Sequence, residues 1–226
     1  MLIRVLYLVL CLLLSGCGLK EYPNSHQLKD FLKFEKQPDD ITCGPTCASM
    51  VVSYYGKNVD CSDLEAYVLS KATLAGKRFG FSLPTGVSKG LRHYDVKNRI
   101  LRGNINELKW HVSNNKPTIV LLRSANDLWH YVVVIGYTQD DICIADPDSG
   151  KKEWMLQDVF LRSWSFKSDM EGNPVGNLCW LCKGSGSFLY LPCDICLGNG
   201  YMDGYRSAIL SAGIYSYTMI VPNSGK

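Results

Sequence analysis

The sequence predicts an α+β fold. Apolar residues recur at helical spacing from Thr42 to Val112. Apolar, β-branched runs replace them between Pro117 and Ala145. A glycine- and cysteine-rich stretch, residues 169–204, belongs to neither pattern. The chain has 226 residues, enough for one domain with a sizeable core and a small appendage. Apolar residues make up 46% and charged residues 20%, as in a globular chain. The net charge is only +3, with no long basic run, so no nucleic-acid partner is expected.

The first residues read as a targeting segment. Arg4 supplies a basic start and Val5 to Leu14 an apolar run, which is short of the roughly 20 residues that span a membrane. Leu14-Ser15-Gly16-Cys17 follows. This run resembles the lipobox of bacterial lipoproteins, which implies cleavage after residue 16, lipidation of Cys17 and export to a membrane surface. A plain secretory signal or an uncleaved anchor is the alternative. Residues 17–34, with one brief Leu28-Phe31-Leu32 stripe, are expected to be a lipidated tether.

A first helix is expected from Thr42 or Cys43, with Pro45 in its first turn and Gly56 past its end. Cys47, Met50, Val51 and Tyr54 mark its apolar face. Ser62-Asp63-Leu64-Glu65 reads as a capping box that opens a second helix reaching about Leu69. Pro84-Thr85-Gly86 introduces a third, to about Tyr94, and Asn106 to Val112 forms a fourth. Strands are expected at Pro117–Leu122, His130–Tyr137 and Asp141–Ala145, with a short return around Trp154. His130–Tyr137 is apolar on both faces and therefore buried. Gln157 to Trp164 suits a helix, and Ile214 to Val221 a last strand.

The chemistry centres on Cys43. Thiolate is the competent form of a cysteine nucleophile, and a helix N-terminus or a nearby imidazolium favours it. Cys43 opens its helix, and His130 opens a buried strand. Asp146, at the end of the next strand, can orient the imidazole as the third member of a triad. Gln37, six residues before Cys43, can donate its side-chain amide to an oxyanion. Taken singly, a cysteine in an apolar helix is more often a small core residue, and a histidine opening a buried strand a satisfied core group. The other histidines, His26, His93 and His111, are expected on the surface. Cys47 either packs inward or bonds to Cys61, and Cys143 is core.

Gln-x₅-Cys-Gly-Pro-Thr-Cys, His-Tyr-Val-Val-Val-Ile-Gly-Tyr and Ile-Ala-Asp-Pro occur in that order. Together they resemble the bacteriocin-processing (double-glycine leader) cysteine peptidase family over roughly residues 35–166. The resemblance implies a papain-like fold with Cys43 as nucleophile, His130 as general base, Asp146 as orienting acid and Gln37 in the oxyanion hole. Bacteriocin-processing members are usually fused to a transporter and its ATPase. This sequence carries neither a bundle of spans nor a Gly-x₄-Gly-Lys phosphate loop, so no ATP is expected. It is similar in this to the stand-alone C39-like group.

Cys179-Trp-Leu-Cys182-Lys-Gly-Ser-Gly186 and Cys193-Asp-Ile-Cys196-Leu-Gly-Asn-Gly200 are one unit written twice. Two Cys-x₂-Cys knuckles make a closed Cys₄ site, hence a structural Zn²⁺. The repeat resembles one zinc-binding half of the DnaJ-type cysteine-rich region, with ligands at Cys179, Cys182, Cys193 and Cys196. Two disulfides are the competing reading in an oxidising compartment.

The sequence therefore leads to five segments: a signal peptide (1–16), the lipidated tether (17–34), a papain-like peptidase domain (35–168), an inserted Cys₄ zinc knuckle (169–204) and a closing strand (205–226). The expected function is an exported, membrane-anchored cysteine peptidase acting on a peptide or protein substrate. A peptide-binding lipoprotein without catalysis and a thiol-dependent acyl or amide transferase are the alternatives.

Overall fold

Patterning in the sequence sets most element boundaries. The computed structural model describes residues 21–31, 33–74, 77–124, 129–165 and 217–223, with short strands at 177–178, 187–188, 191–192 and 201–202. In chain order the elements begin with β1 (His26–Gln27), α1 (Cys43–Tyr54) and α2 (Cys61–Val68). A hairpin follows, β2 (Leu69–Leu74) and β3 (Lys77–Ser82), then α3 (Pro84–His93), β4 (Asn98–Arg102) and α4 (Ile105–Ser113). Then come β5 (Thr118–Arg123), β6 (Trp129–Tyr137), β7 (Asp141–Asp146), β8 (Lys151–Leu156) and α5 (Gln157–Trp164). Four two-residue strands, β9 (Asn177–Leu178), β10 (Ser187–Phe188), β11 (Leu191–Pro192) and β12 (Tyr201–Met202), precede β13 (Thr218–Pro222).

The main sheet runs β4-β13-β5-β6-β7-β8, antiparallel throughout, with β1 paired to the far end of β6. β5 is buried at every residue and β6 at all but its first, which explains their unbroken apolar runs. α1 packs against β6 and is itself clasped by α2 and α3. Eleven of its twelve residues, all but Ser53, are buried, so it is a core helix rather than an amphipathic one. Leu108 and Val112 bring α4 onto the core. α5 packs across β5, β7 and β8 through Phe160 and Trp164.

β13 comes last in the chain but lies inside the sheet, between β4 and β5. Trp164 holds it there: its Nε1 donates to Thr218 O at 3.0 Å, and Tyr217 N–H donates to Trp164 O at 3.0 Å. Chain that leaves the body after Ser165 therefore returns beside its point of departure. Met219 faces Val120 and Leu122 faces His130, so the start of β13 lies on the row of His130. The lateral offset is two strands, about 10 Å.

Four expectations are corrected. The tether is part of the body: Leu28 and Phe31 are only 3% and 4% exposed, and Leu28 N–H donates to Ile135 O at 2.8 Å. Phe31 stacks on Tyr54 with ring centroids 6.0 Å apart. A few anchors on an irregular segment leave no periodicity to read, so the sequence showed no element there. The second helix starts earlier than expected, because Asp63 rather than Glu65 closes the box, accepting Asp60 N–H at 2.9 Å. His111 is buried, beside Leu108 and Val112 on the core stripe of α4. The last strand begins at Thr218 after a turn at Tyr217, and residues 214–216 lie outside the described residues. Among the described residues no helix is long and apolar enough to cross a membrane.

Candidate active site

Cys43 is the first residue of α1, where the early backbone N–H groups have no partner within the helix. Thr42 precedes it, fully buried, and its carbonyl accepts from both Thr46 N–H (3.0 Å) and Thr46 Oγ1 (2.8 Å), which tightens the first turn. The next residue must be glycine for a steric reason. A Cβ on Gly44 would lie 2.6 Å from Ser82 Cβ, at the base of the β2–β3 hairpin. The hairpin thus abuts the turn that carries Cys43. Tyr131 OH holds its other side, donating to Ser82 O at 3.1 Å.

His130 reaches this turn from β6, and Asp146 from the end of β7. Nε2 of His130 donates to Asp146 Oδ1 at 2.7 Å, with both side chains about nine-tenths buried. That leaves Nδ1 as the ring nitrogen not engaged by Asp146, and Cys43 lies close enough to act on the ring. Burial by itself pulls the His130 pKa down. The hydrogen bonds to Asp146 and Cys43, with the negative charge of both groups, outweigh it and raise the pKa to about 10. At neutral pH the ring is an imidazolium, clamped between a carboxylate and a cysteine sulfur.

Burial above all, and then the negative charge of Cys43, holds the Cys47 pKa well above the usual thiol value. Its Sγ donates to Tyr131 O at 3.2 Å, which pins α1 to β6 one residue from His130. Burial likewise pushes Cys61 and Cys143 up to about 11 each. Cys43, Cys47, Cys61 and Cys143 are all free, so the Cys47–Cys61 bond left open by the sequence is not formed here.

Gln37 approaches from a third direction. Its segment is fastened to α1 and α2 through Glu35, whose carboxylate accepts from Ser49 Oγ and, at 2.9 Å, from Cys61 N–H. Gln37 N–H donates to Pro147 O at 2.7 Å, directly after Asp146. Its Oε1 is buried without a hydrogen-bond partner, so this side of the amide is not committed to a structural bond.

The fold thus brings Cys43, His130 and Asp146 together and carries Gln37 to the adjoining turn. Cys17 and the four late cysteines lie outside the described residues. Sequence reasoning passed over Cys47, Tyr131 and Ser82 as braces of the site, because their contacts join segments far apart in the chain. It also passed over the turn after Asp146, for which Pro147-Asp148-Ser149-Gly150 was an available signal.

Residues 21–168 match the Peptidase_C39 like family. The chain is 27% identical over 133 residues to the pediocin PA-1 transport/processing ATP-binding protein PedD of Pediococcus acidilactici. The alignment covers 58% of this chain but only 17% of that protein, so this chain spans a minor part of that relative's length. Among solved structures, one from Bacillus anthracis described as a C39-like peptidase superposes with a TM-score of 0.52 at 20% identity. It covers 61% of this chain and 91% of that one, which is a likeness of fold. The peptidase domain of Streptococcus ComA, a bi-functional ABC transporter involved in a quorum-sensing pathway, gives a TM-score of 0.46 at 25% identity, covering 57% and 88% of the two chains.

The His130–Asp146 pair has a pH signature. The folded pKa of His130, about 10, lies above the ordinary value of 6.5, so its contribution to stability is complete below about pH 6.5 and fades as pH rises through about 10. Asp146→Asn removes the carboxylate and lowers that pKa. Thermal melts at about pH 6 and about pH 10.5 are expected to show the gap between wild type and Asp146→Asn shrinking at the higher pH. A gap that widens would contradict the assignment.

Proposed function

This chain belongs to the Peptidase_C39 like family, cysteine peptidases of papain-like fold, and on that premise we propose an exported, membrane-anchored enzyme that hydrolyses peptide bonds through Cys43, His130, Asp146 and Gln37. The observation that carries the reading is the buried 2.7 Å bond from His130 Nε2 to Asp146, beside the cysteine that opens α1.

Cys43 Sγ attacks the peptide carbonyl carbon, and the carbonyl oxygen takes up negative charge. The Gln37 amide and the Cys43 backbone N–H stabilise that oxyanion. As the C–N bond breaks, His130 gives its Nδ1 proton to the leaving amine, which departs and leaves a thioester on Cys43. His130 then takes a proton from water, which attacks the thioester. The acid product leaves and the Cys43–His130 pair is restored. Asp146 keeps the ring oriented throughout.

Two further parts are proposed from the sequence. Lipid on Cys17 would tether the enzyme, since each buried CH₂ contributes roughly 0.8 kcal/mol and several acyl chains hold stably. A structural Zn²⁺ would be held by Cys179, Cys182, Cys193 and Cys196. The described strands around those cysteines support the second part. β9 pairs with β12 and β10 with β11 in a single register, Leu178 facing Tyr201 and Ser187 facing Pro192. The two intervening segments, 179–186 and 193–200, are therefore equal in length, and each carries one Cys-x₂-Cys unit.

A peptide-library cleavage assay tests the central claim. Cys43→Ala and His130→Ala are each expected to reduce turnover by about three orders of magnitude or more. A thiol-reactive peptide electrophile is expected to label Cys43 selectively in the wild type. Absence of both cleavage and labelling would favour a peptide-binding module. For the metal, elemental analysis of the purified chain is expected to give stoichiometric zinc, lost together in Cys179→Ser and Cys193→Ser; no zinc and no free thiols in this segment would reassign the four cysteines to disulfides. Cys17→Ser is expected to move the protein from the membrane to the soluble fraction, and unchanged membrane association would exclude the lipid anchor.

A further inference from the structure

The hairpin turn after Asp146 touches both halves of the proposed machinery. At its start, Asp146 Oδ1 accepts from His130 Nε2 at 2.7 Å and from Asp148 N–H at 2.8 Å. Next, Pro147 O accepts Gln37 N–H at 2.7 Å. At its end, Gly150 N–H donates to Asp146 O at 2.9 Å and closes the turn before Lys151 pairs with Asp146. The same few residues thus orient the acid that holds the histidine and fasten the backbone of the oxyanion donor.

Gly150 is where that fastening is tightest. Its φ of +66° favours glycine on conformational grounds alone. Space is a second, independent constraint. A Cβ at this position would lie 2.8 Å from Lys36 Cβ and 3.1 Å from Lys36 Cα and N. These are the atoms just before Gln37, and two of them are backbone. The Lys36–Gln37 segment lies against the turn at a distance that only a residue without a side chain permits. Gln37 Oε1 has no hydrogen-bond partner, so its main chain, which the turn holds, is the described constraint on where the amide sits.

We propose that the Pro147–Gly150 turn is the positioning element for the oxyanion hole, and that Gly150 is the positioning residue for Gln37. This rests on the reading of Gln37 as the oxyanion donor. A side chain at 150 pushes Lys36 outward, stretches the Gln37 N–H···Pro147 bond and withdraws the amide from the developing oxyanion. The His130–Asp146 bond is made by the Asp146 carboxylate, whereas Gly150 bonds only the Asp146 main-chain carbonyl, so that bond persists. Misplacing a catalytic donor by about 1 Å costs on the order of 10²-fold in rate.

The test uses the full chain and two variants, Gly150→Ala and Gly150→Asn. Asparagine tolerates a positive φ but carries a Cβ, so it separates close approach from backbone strain. Both variants are expected to lose about 10- to 100-fold in kcat for peptide hydrolysis, with KM little changed. Alkylation of Cys43 by iodoacetamide develops no oxyanion, so its rate and pH dependence are expected to match wild type in both. In a Gln37→Ala background, Gly150→Ala is expected to cost nothing further. The proposal is overturned if Gly150→Asn keeps full kcat, if alkylation falls in step with kcat, or if Gly150→Ala has its full effect in the Gln37→Ala background. A Gln37→Ala variant with wild-type kcat would instead remove the oxyanion reading itself.

Discussion

The bond between His130 and Asp146 is the constraint around which the body is arranged. A carboxylate and an imidazolium are costly to bury apart and tolerable to bury together, provided their geometry is held. That geometry comes from the sheet. β6 and β7 are adjacent, and their pairing sets His130, near the start of one strand, against Asp146, at the end of the other. A slip of one residue in either strand would turn one partner to the opposite face. The irregularity between Val134 and Gly136 lies beyond the residues that register the pair.

The third member arrives by helix packing. α1 is buried along nearly its whole length and lies on β6, so its first residue has little freedom. Cys47, one turn on, bonds to the carbonyl of Tyr131, and Tyr131 reaches the hairpin that abuts Gly44. These braces occupy the sequence neighbours of Cys43 and His130 rather than the reacting groups themselves. The residues beside Cys43 and His130 thus carry much of the packing that fixes the two side chains. Burial raises the pKa values of Cys47, Cys61 and Cys143.

The position of the last strand follows the same economy. β13 fills the slot between β4 and β5, so the sheet is complete only when the end of the chain returns. Trp164 and Tyr217 hold its start against the end of α5.

Sequence by itself determined the α+β order, the core strands, the helix that begins at Cys43 and the candidate triad. Each depends on short-range signals: a period of two or of 3.6, a proline in a first turn, a motif residue beside its strand or helix. It did not disclose β2–β3, whose Leu-Ser-Lys-Ala-Thr-Leu run lacks a clean alternation, or the anchoring of Leu28 and Phe31, which depends on surfaces of α1 and β6. His111 was misjudged because helical position alone does not say which face of α4 meets the sheet. Only the tertiary structure decided that the Pro147–Gly150 turn meets Lys36 and Gln37, and that Cys47 bonds to the backbone beside His130. The physical reason is separation along the chain: those contacts join residues tens of positions apart, where no local period or spacing encodes a distance, and only closure of the sheet around α1 sets it.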